Sequence, residues 1–109
     1  MEIAKTPTAP YFAVIFTSIS SNHQEGYGDM ADKMVKLAAQ QDGFLGIESA
    51  REDIGITVSY WKDLESIKNW KMNMEHQVAR SKGKSIWYEA FSVRISKVER
   101  DYFFDKKKT

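Results

Sequence analysis

The chain has no cysteine, which excludes disulfides, thiolate metal sites and a cysteine nucleophile. Histidine is almost as scarce, with His23 and His76 alone. Metal ligands would have to come from these two and from Asp or Glu, and no two histidines stand four apart as on a zinc-binding helix, so no metal site is expected. Nor is there an excess of charge of one sign: 16 Lys and Arg against 15 Asp and Glu leave a formal +1. Such a balance gives no field for gathering nucleic acid or acidic substrates. Long apolar runs are missing too, and Met1 to Pro10 carries Glu2, Lys5 and two prolines around a few small residues. The reading is therefore no membrane span, no signal peptide and a cytoplasmic protein. Phosphate chemistry is also absent, because Gly26-Tyr27-Gly28 lacks the longer glycine fingerprint and the Lys-Ser/Thr that would follow it.

What is present suits one packed domain. The 109 residues are 42% hydrophobic and 13% aromatic, enough to bury a single core and short for two. Residues 1–10 read as an N-terminal extension, 11–104 as the domain and 105–109 as a charged tail that frays. No internal repeat or low-complexity linker interrupts the chain.

The run Tyr11 to Ser18 is apolar on both alternating sets and predicts a central strand. A polar loop to Gly28 follows, and Tyr27, Met30, Ala31, Met34, Leu37 and Ala38 then recur at helical spacing, with Asp42-Gly43 as the stop. Phe44 to Arg51 and Gly55 to Trp61 read as a hairpin turning at Glu52-Asp53-Ile54-Gly55. On its second strand Ile56, Val58 and Tyr60 share one face, and Thr57, Ser59 and Trp61 the other. Asp63 sits where an N-cap belongs, ahead of the stripe Ile67, Trp70, Met74 and Val78, and Gly83 marks a break. Tyr88 to Tyr102 alternates as a half-buried strand, with Phe91, Val93 and Ile95 opposite Ser92, Arg94 and Ser96.

Strand, helix, strand, strand, helix, strand is the split βαβ order of a ferredoxin-like α+β domain: an antiparallel four-stranded sheet with the first and third strands in the middle. Two helices cover one face only. The first strand leaves apolar residues on the other face, which a homodimer pairing sheet against sheet would bury. Any pocket then lies between sheet and helices.

Chemistry is expected where aromatic surface meets a titratable imidazole: Asn69 to His76 with Trp70 inside it, then Trp87-Tyr88. Plainer roles stand beside the functional ones. Trp70 lies on the stripe of Ile67 and Met74 and reads first as core. Trp61 ends a strand, where it would seal a helix or a dimer contact. His76 has polar neighbours that suit a surface or interface position, His23 sits in a polar loop, and Arg94 suits a salt bridge between subunits.

The segments Gly43-Phe44-Leu45-Gly46-Ile47-Glu48-Ser49, Ile56-Thr57-Val58-Ser59-Tyr60-Trp61, Ile67-Lys68-Asn69-Trp70, Glu75-His76 and Trp87-Tyr88, in that order, resemble the antibiotic biosynthesis monooxygenase family. The likeness runs from about Tyr11 to about Phe104. It implies the dimeric α+β barrel, the architecture already reached from the element order. It also implies a monooxygenase acting with dioxygen on a small aromatic or phenolic compound without a bound cofactor. In that reading His76 is the base, Trp70, Trp61, Tyr60 and Trp87 are stacking surfaces, and Asn69 or Arg94 donates to the developing oxyanion. A haem-degrading branch implies an alternative, with His76 on iron and Trp70 against the porphyrin. Six helical residues put these two roughly 120° apart, so they would share a pocket only around a bend. A third possibility is a dimer that binds a small ligand, or other proteins, without turnover.

Overall fold

The computed structural model describes residues 2–22, 24–81 and 87–108, leaving aside the side chains of residues 76–81 and 108. The elements are β1 (Tyr11–Ser20), α1 (Tyr27–Ala39), β2 (Phe44–Arg51), β3 (Gly55–Trp61), α2 (Leu64–Ser81) and β4 (Tyr88–Val98), followed by one 3-10 turn at Lys106–Lys108. All strand pairs are antiparallel, in the order β2-β3-β1-β4. The first and third strands are thus central, as the element order predicts. The last strand ends at Val98, four residues short of the expected Tyr102, and the chain beyond it runs exposed.

Residues paired across a ladder point to the same side of a sheet, so the registers sort the side chains into two faces. Phe44, Trp61 and Phe12 share the helix-covered face, and Ile47, Ser59, Val14 and Ile95 form the next row on it. Against the first of these rows Ala38 of α1 and Ile67 and Trp70 of α2 complete the core, with Met34, Leu37 and Met74 packed around it. Trp61 is 0% exposed. Its ring stacks on Trp70 at 5.9 Å between centroids and 22° between planes, and meets Phe44 edge-on at 5.5 Å. The Trp61 indole N–H donates to Ser59 Oγ at 2.9 Å, so burying the indole leaves no donor unpaired.

Local chemistry fixes where the helices begin. The Asp63 carboxylate accepts the Ser66 backbone N–H at 2.8 Å and the Ser66 hydroxyl at 2.7 Å, which satisfies a first-turn donor of α2. Those hydrogen bonds hold the Asp63 carboxyl below the usual carboxylate range. α2 then continues unbroken to Ser81, while the break expected at Gly83 lies outside the described residues. The first helix stops at Ala39, ahead of the expected Asp42-Gly43. Gly43 serves instead at the entry to β2: its φ of +86° is a left-handed conformation, and a Cβ there would fall 2.1 Å from Ser66 Oγ. Only glycine meets both demands.

The opposite face carries Ala13, Ile15, Thr17 and Ile19 of β1 with Ile56, Val58 and Tyr60 of β3. One end of it is covered by the N-terminal segment. The Ala4 N–H donates to Glu48 Oε2 at 2.8 Å, and Ala4 lies so close to Gly46 that a Cβ there would come within 2.8 Å of Ala4 Cβ. The Tyr60 hydroxyl donates to Glu48 Oε1 at 2.7 Å; burial, and then this bond, push the phenol up to about 12. The Tyr11 hydroxyl accepts from Thr6 Oγ1 at 2.9 Å and donates to Asp101, tying both terminal segments to one edge of the face. Its other end is bare, with Ile19 46% and Ile56 45% exposed.

Candidate functional site

Along the helix-covered face the sheet changes character. Beyond the two core rows come Ser49, Thr57, Phe16 and Val93, and then Arg51, Gly55, Ser18 and Phe91. Hydroxyls and a guanidinium thus replace the aliphatic and indole groups at the end of the sheet farthest from Trp61. On β4 this face is open, Phe91, Val93 and Ile95 being 42%, 48% and 52% exposed.

Aromatic rings wall this end. Phe16 lies 5.5 Å from Tyr88 and 5.6 Å from Phe91, the second pair nearly parallel. Tyr27, the first residue of α1, contacts both Trp87 and Tyr88 at 5.7 Å. Trp87 is buried and anchored: its indole N–H donates to the Glu25 carbonyl at 3.0 Å, and its own carbonyl accepts the Ser21 N–H at 2.8 Å and Gln24 Nε2 at 3.0 Å. These bonds join the loop before α1 to the start of β4, which brings Tyr27 over Tyr88. The Tyr88 hydroxyl donates to the Tyr27 hydroxyl at 3.2 Å. Burial raises the Tyr88 phenol well above its ordinary value, the bond to Tyr27 adds to the rise, and the Arg51 charge acts against it. At neutral pH Tyr88 is a fixed neutral hydroxyl that can donate a proton in a hydrogen bond without losing it.

Trp87 also lines, with Gly26 and with Asp29, Met30 and Lys33 of α1, an open groove of about 200 Å³. Drug-sized ligands occupy pockets of ~300–1,000 Å³, and this groove is smaller than that range. Among the described residues no three His, Asp or Glu side chains gather as metal ligands.

The residues singled out in the sequence separate into three places. Trp61 and Trp70 meet each other in the closed core, and Trp61 has no surface left for a ligand. Tyr60 and Arg94 lie on the opposite sheet face, Tyr60 beside Ala13 and Arg94 beside Ile15, with Arg94 Nη1 donating to Ser92 Oγ at 3.1 Å. Asn69 is exposed on α2, its carbonyl accepting from Asn73 at 3.0 Å. Of the candidates whose side chains are described, Trp87 alone stands at the polar, aromatic end. The side chain of His76 falls outside the described residues, although its backbone belongs to α2, and His23 falls outside them altogether. Tyr27, Arg51, Ser18 and Phe16 escaped the sequence reading. One signal was present: Gly55 within a strand marks a close approach of another group, and that group is Arg51.

Comparison with known proteins follows the same outline. A family model described as antibiotic biosynthesis monooxygenase matches residues 10–82. A Bacillus subtilis (strain 168) protein, the uncharacterized YqjZ, is 51% identical over 106 residues, which cover 95% of this chain and 93% of that one. Among solved structures, a mutant of SnoaB, a cofactor-independent oxygenase from Streptomyces nogalater, superposes with a TM-score of 0.70 at 10% identity, over 89% of this chain and 100% of the other. The Shewanella oneidensis protein SO0527 gives 0.69 at 11% identity, over 88% and 97%. At these identities the structures attest the shared fold.

Proposed function

The chain belongs to the antibiotic biosynthesis monooxygenase family, and from that we propose that it oxidises a small phenolic compound with dioxygen, without a bound cofactor. One observation carries this reading: the helix-covered face of the sheet ends in hydroxyls and aromatic rings around the Tyr27–Tyr88 pair, where apolar packing would have sufficed for stability alone. The resemblance in fold to SnoaB, a cofactor-independent oxygenase, supports it.

The chemistry asks little of the protein. A base takes a proton from a methylene carbon of the substrate, and the resulting carbanion, electron-rich through its phenolic oxygens, gives electrons to dioxygen and forms a C–O bond. The hydroperoxide so made loses water as its O–O bond breaks and the second C–H proton leaves. In sum one methylene group and one dioxygen molecule give one carbonyl group and one water molecule, with every electron supplied by the substrate. His76 is the base in this proposal, its ordinary pKa of about 6.5 being close to working pH. Trp87 and Phe16 stack on the ring, and the Tyr27 hydroxyl, which accepts the Tyr88 proton and keeps its own for the ligand, donates to the developing oxyanion. Trp61 and Trp70 hold the core.

The functional unit is a homodimer in this reading, formed by the bare end of the opposite face, Ile15, Ile19, Ile56 and Val58, pairing with its copy. The test of the catalytic proposal is oxygen uptake with a panel of phenols and anthrone-like compounds. Uptake that follows substrate addition and is lost in His76→Ala supports it. A panel without uptake by any member overturns it.

A further inference from the structure

We infer that Arg51 is an anion anchor, which sets the ligand class of this site as aromatic compounds bearing an ionised oxygen, a carboxylate or an acidic phenol. The inference deepens the proposed function and rests on its placement of the site.

Arg51 is the last residue of β2, and it heads the row that continues through Gly55 and Ser18 to Phe91 on the helix-covered face. Its guanidinium folds back over β3. A Cβ at position 55 would come within 2.2 Å of Nη2, 2.3 Å of Cζ and 2.6 Å of Nε, so the plane of the group lies directly on the Gly55 backbone. Gly55 has no positive φ, so what a side chain there would disturb is the guanidinium, which would have to move aside. Nη2 also donates to Ser18 Oγ, a hydroxyl on a residue 1% exposed. A buried hydroxyl on one strand and a missing side chain on another thus fix the position of a long, otherwise mobile cation, which removes part of the entropy cost of binding to it.

Among the described residues no carboxylate lies within ion-pair distance of Arg51, Glu52 and Asp53 in the following turn included. One of the five N–H donors of the guanidinium is taken by Ser18. Arg51 remains exposed, so other donors can reach a ligand. Planar guanidinium favours planar bidentate acceptors, carboxylate above all. Phe91 and Phe16, on the same face, offer the ring of such a ligand an aromatic surface.

The test is binding without turnover. The whole protein is titrated anaerobically with 4-hydroxybenzoate and with its neutral analogue 4-hydroxybenzyl alcohol, followed by tryptophan fluorescence and calorimetry, and 4-nitrophenolate serves as the phenolate arm. Wild type should bind one or both anions at least tenfold more tightly than the alcohol. Arg51→Met should erase that preference and leave the alcohol within about twofold, and Arg51→Lys should restore part of it. Gly55→Ala keeps the charge but displaces it, and should also erase the preference, with circular dichroism confirming the fold. Equal binding of anion and alcohol by wild type, absence of binding by all three, or an unchanged preference in Arg51→Met overturns the inference. Oxygen uptake separates this from the catalytic proposal: anion preference without uptake keeps the anchor and sinks the oxygenase, whereas uptake without anion preference does the reverse.

Discussion

The Tyr88 hydroxyl donates to the Tyr27 hydroxyl across 3.2 Å, joining the first residue of β4 to the first residue of α1. With Tyr27 as the donor to the developing oxyanion, Tyr27→Phe should lower kcat by about 100–1,000-fold, the scale of losing one oxyanion donor. The fold should survive, because the ring and its contacts with Trp87 and Tyr88 remain. Steady-state oxygen consumption beside a urea unfolding curve separates the two effects; a variant that keeps full activity removes Tyr27 from the mechanism.

Trp61→Ala should cost about 3–5 kcal/mol of stability, the range for deleting a buried large aromatic. The ring has no exposed surface, and both Trp70 and Phe44 lean on it. Chemical denaturation followed by circular dichroism measures the loss. A cost below about 1 kcal/mol would contradict the central place given to this stack.

Gly43→Ala should destabilise by more than about 1 kcal/mol, although the change adds one methyl group to a loop. The left-handed φ strains the new residue, and its Cβ would strike Ser66, which the α2 cap at Asp63 holds in place. Truncating Ser66 as well, in Gly43→Ala/Ser66→Gly, should relieve the collision and leave the backbone strain, so a double-mutant cycle divides the two contributions.

Alkaline pH should weaken the fold through Tyr60. Its phenol ionises at about 12 in the folded chain against an ordinary value of 10.0, so the folded state favours the protonated form. The stabilisation is fully present below pH 10 and is lost as pH rises from there through 12. Urea midpoints measured across pH 9 to 12 should fall, and Tyr60→Phe should make that fall shallower. Equal slopes in the two proteins would contradict the Tyr60–Glu48 account.

Ile56→Glu should give a particle of 12.6 kDa in place of one twice that mass, as read by light scattering after gel filtration. The carboxylate would be forced into the apolar seam proposed for the dimer, where an unpaired charge is costly. Wild type that already runs at 12.6 kDa would sink the sheet-to-sheet pairing.

Much of the fold was legible because its elements announce themselves by period. Alternation in Gly55 to Trp61 assigned Trp61 and Tyr60 to opposite faces, and Asp63 with Ser66 marked the start of α2, both as found. The candidate site was less legible. The scarcity of histidine and tryptophan drew attention to Trp61 and Trp70, yet a large ring at helical or strand spacing is the best filler a core can have, and the two fill it together. Arg94 alternates as cleanly as any pocket residue would, and its register with Ile15 puts it on the far face.

The order of elements, the two faces of β3 and β4, the α2 N-cap and the absence of thiolate chemistry follow from the sequence alone, since each depends on residues close in the chain. Which residues meet at the polar end of the sheet does not. Ser18, Arg51, Gly55 and Phe91 are ordinary in their own segments, and they become one row only when four strands align in register. Tyr27 and Tyr88 touch only because the bonds of Trp87 to Glu25, Ser21 and Gln24 close the loop before α1 onto β4. Apart from the hairpin pair Arg51–Gly55, contacts of that kind are set by strand pairing and loop closure across 33 to 73 residues of chain, distances over which no local periodicity carries information.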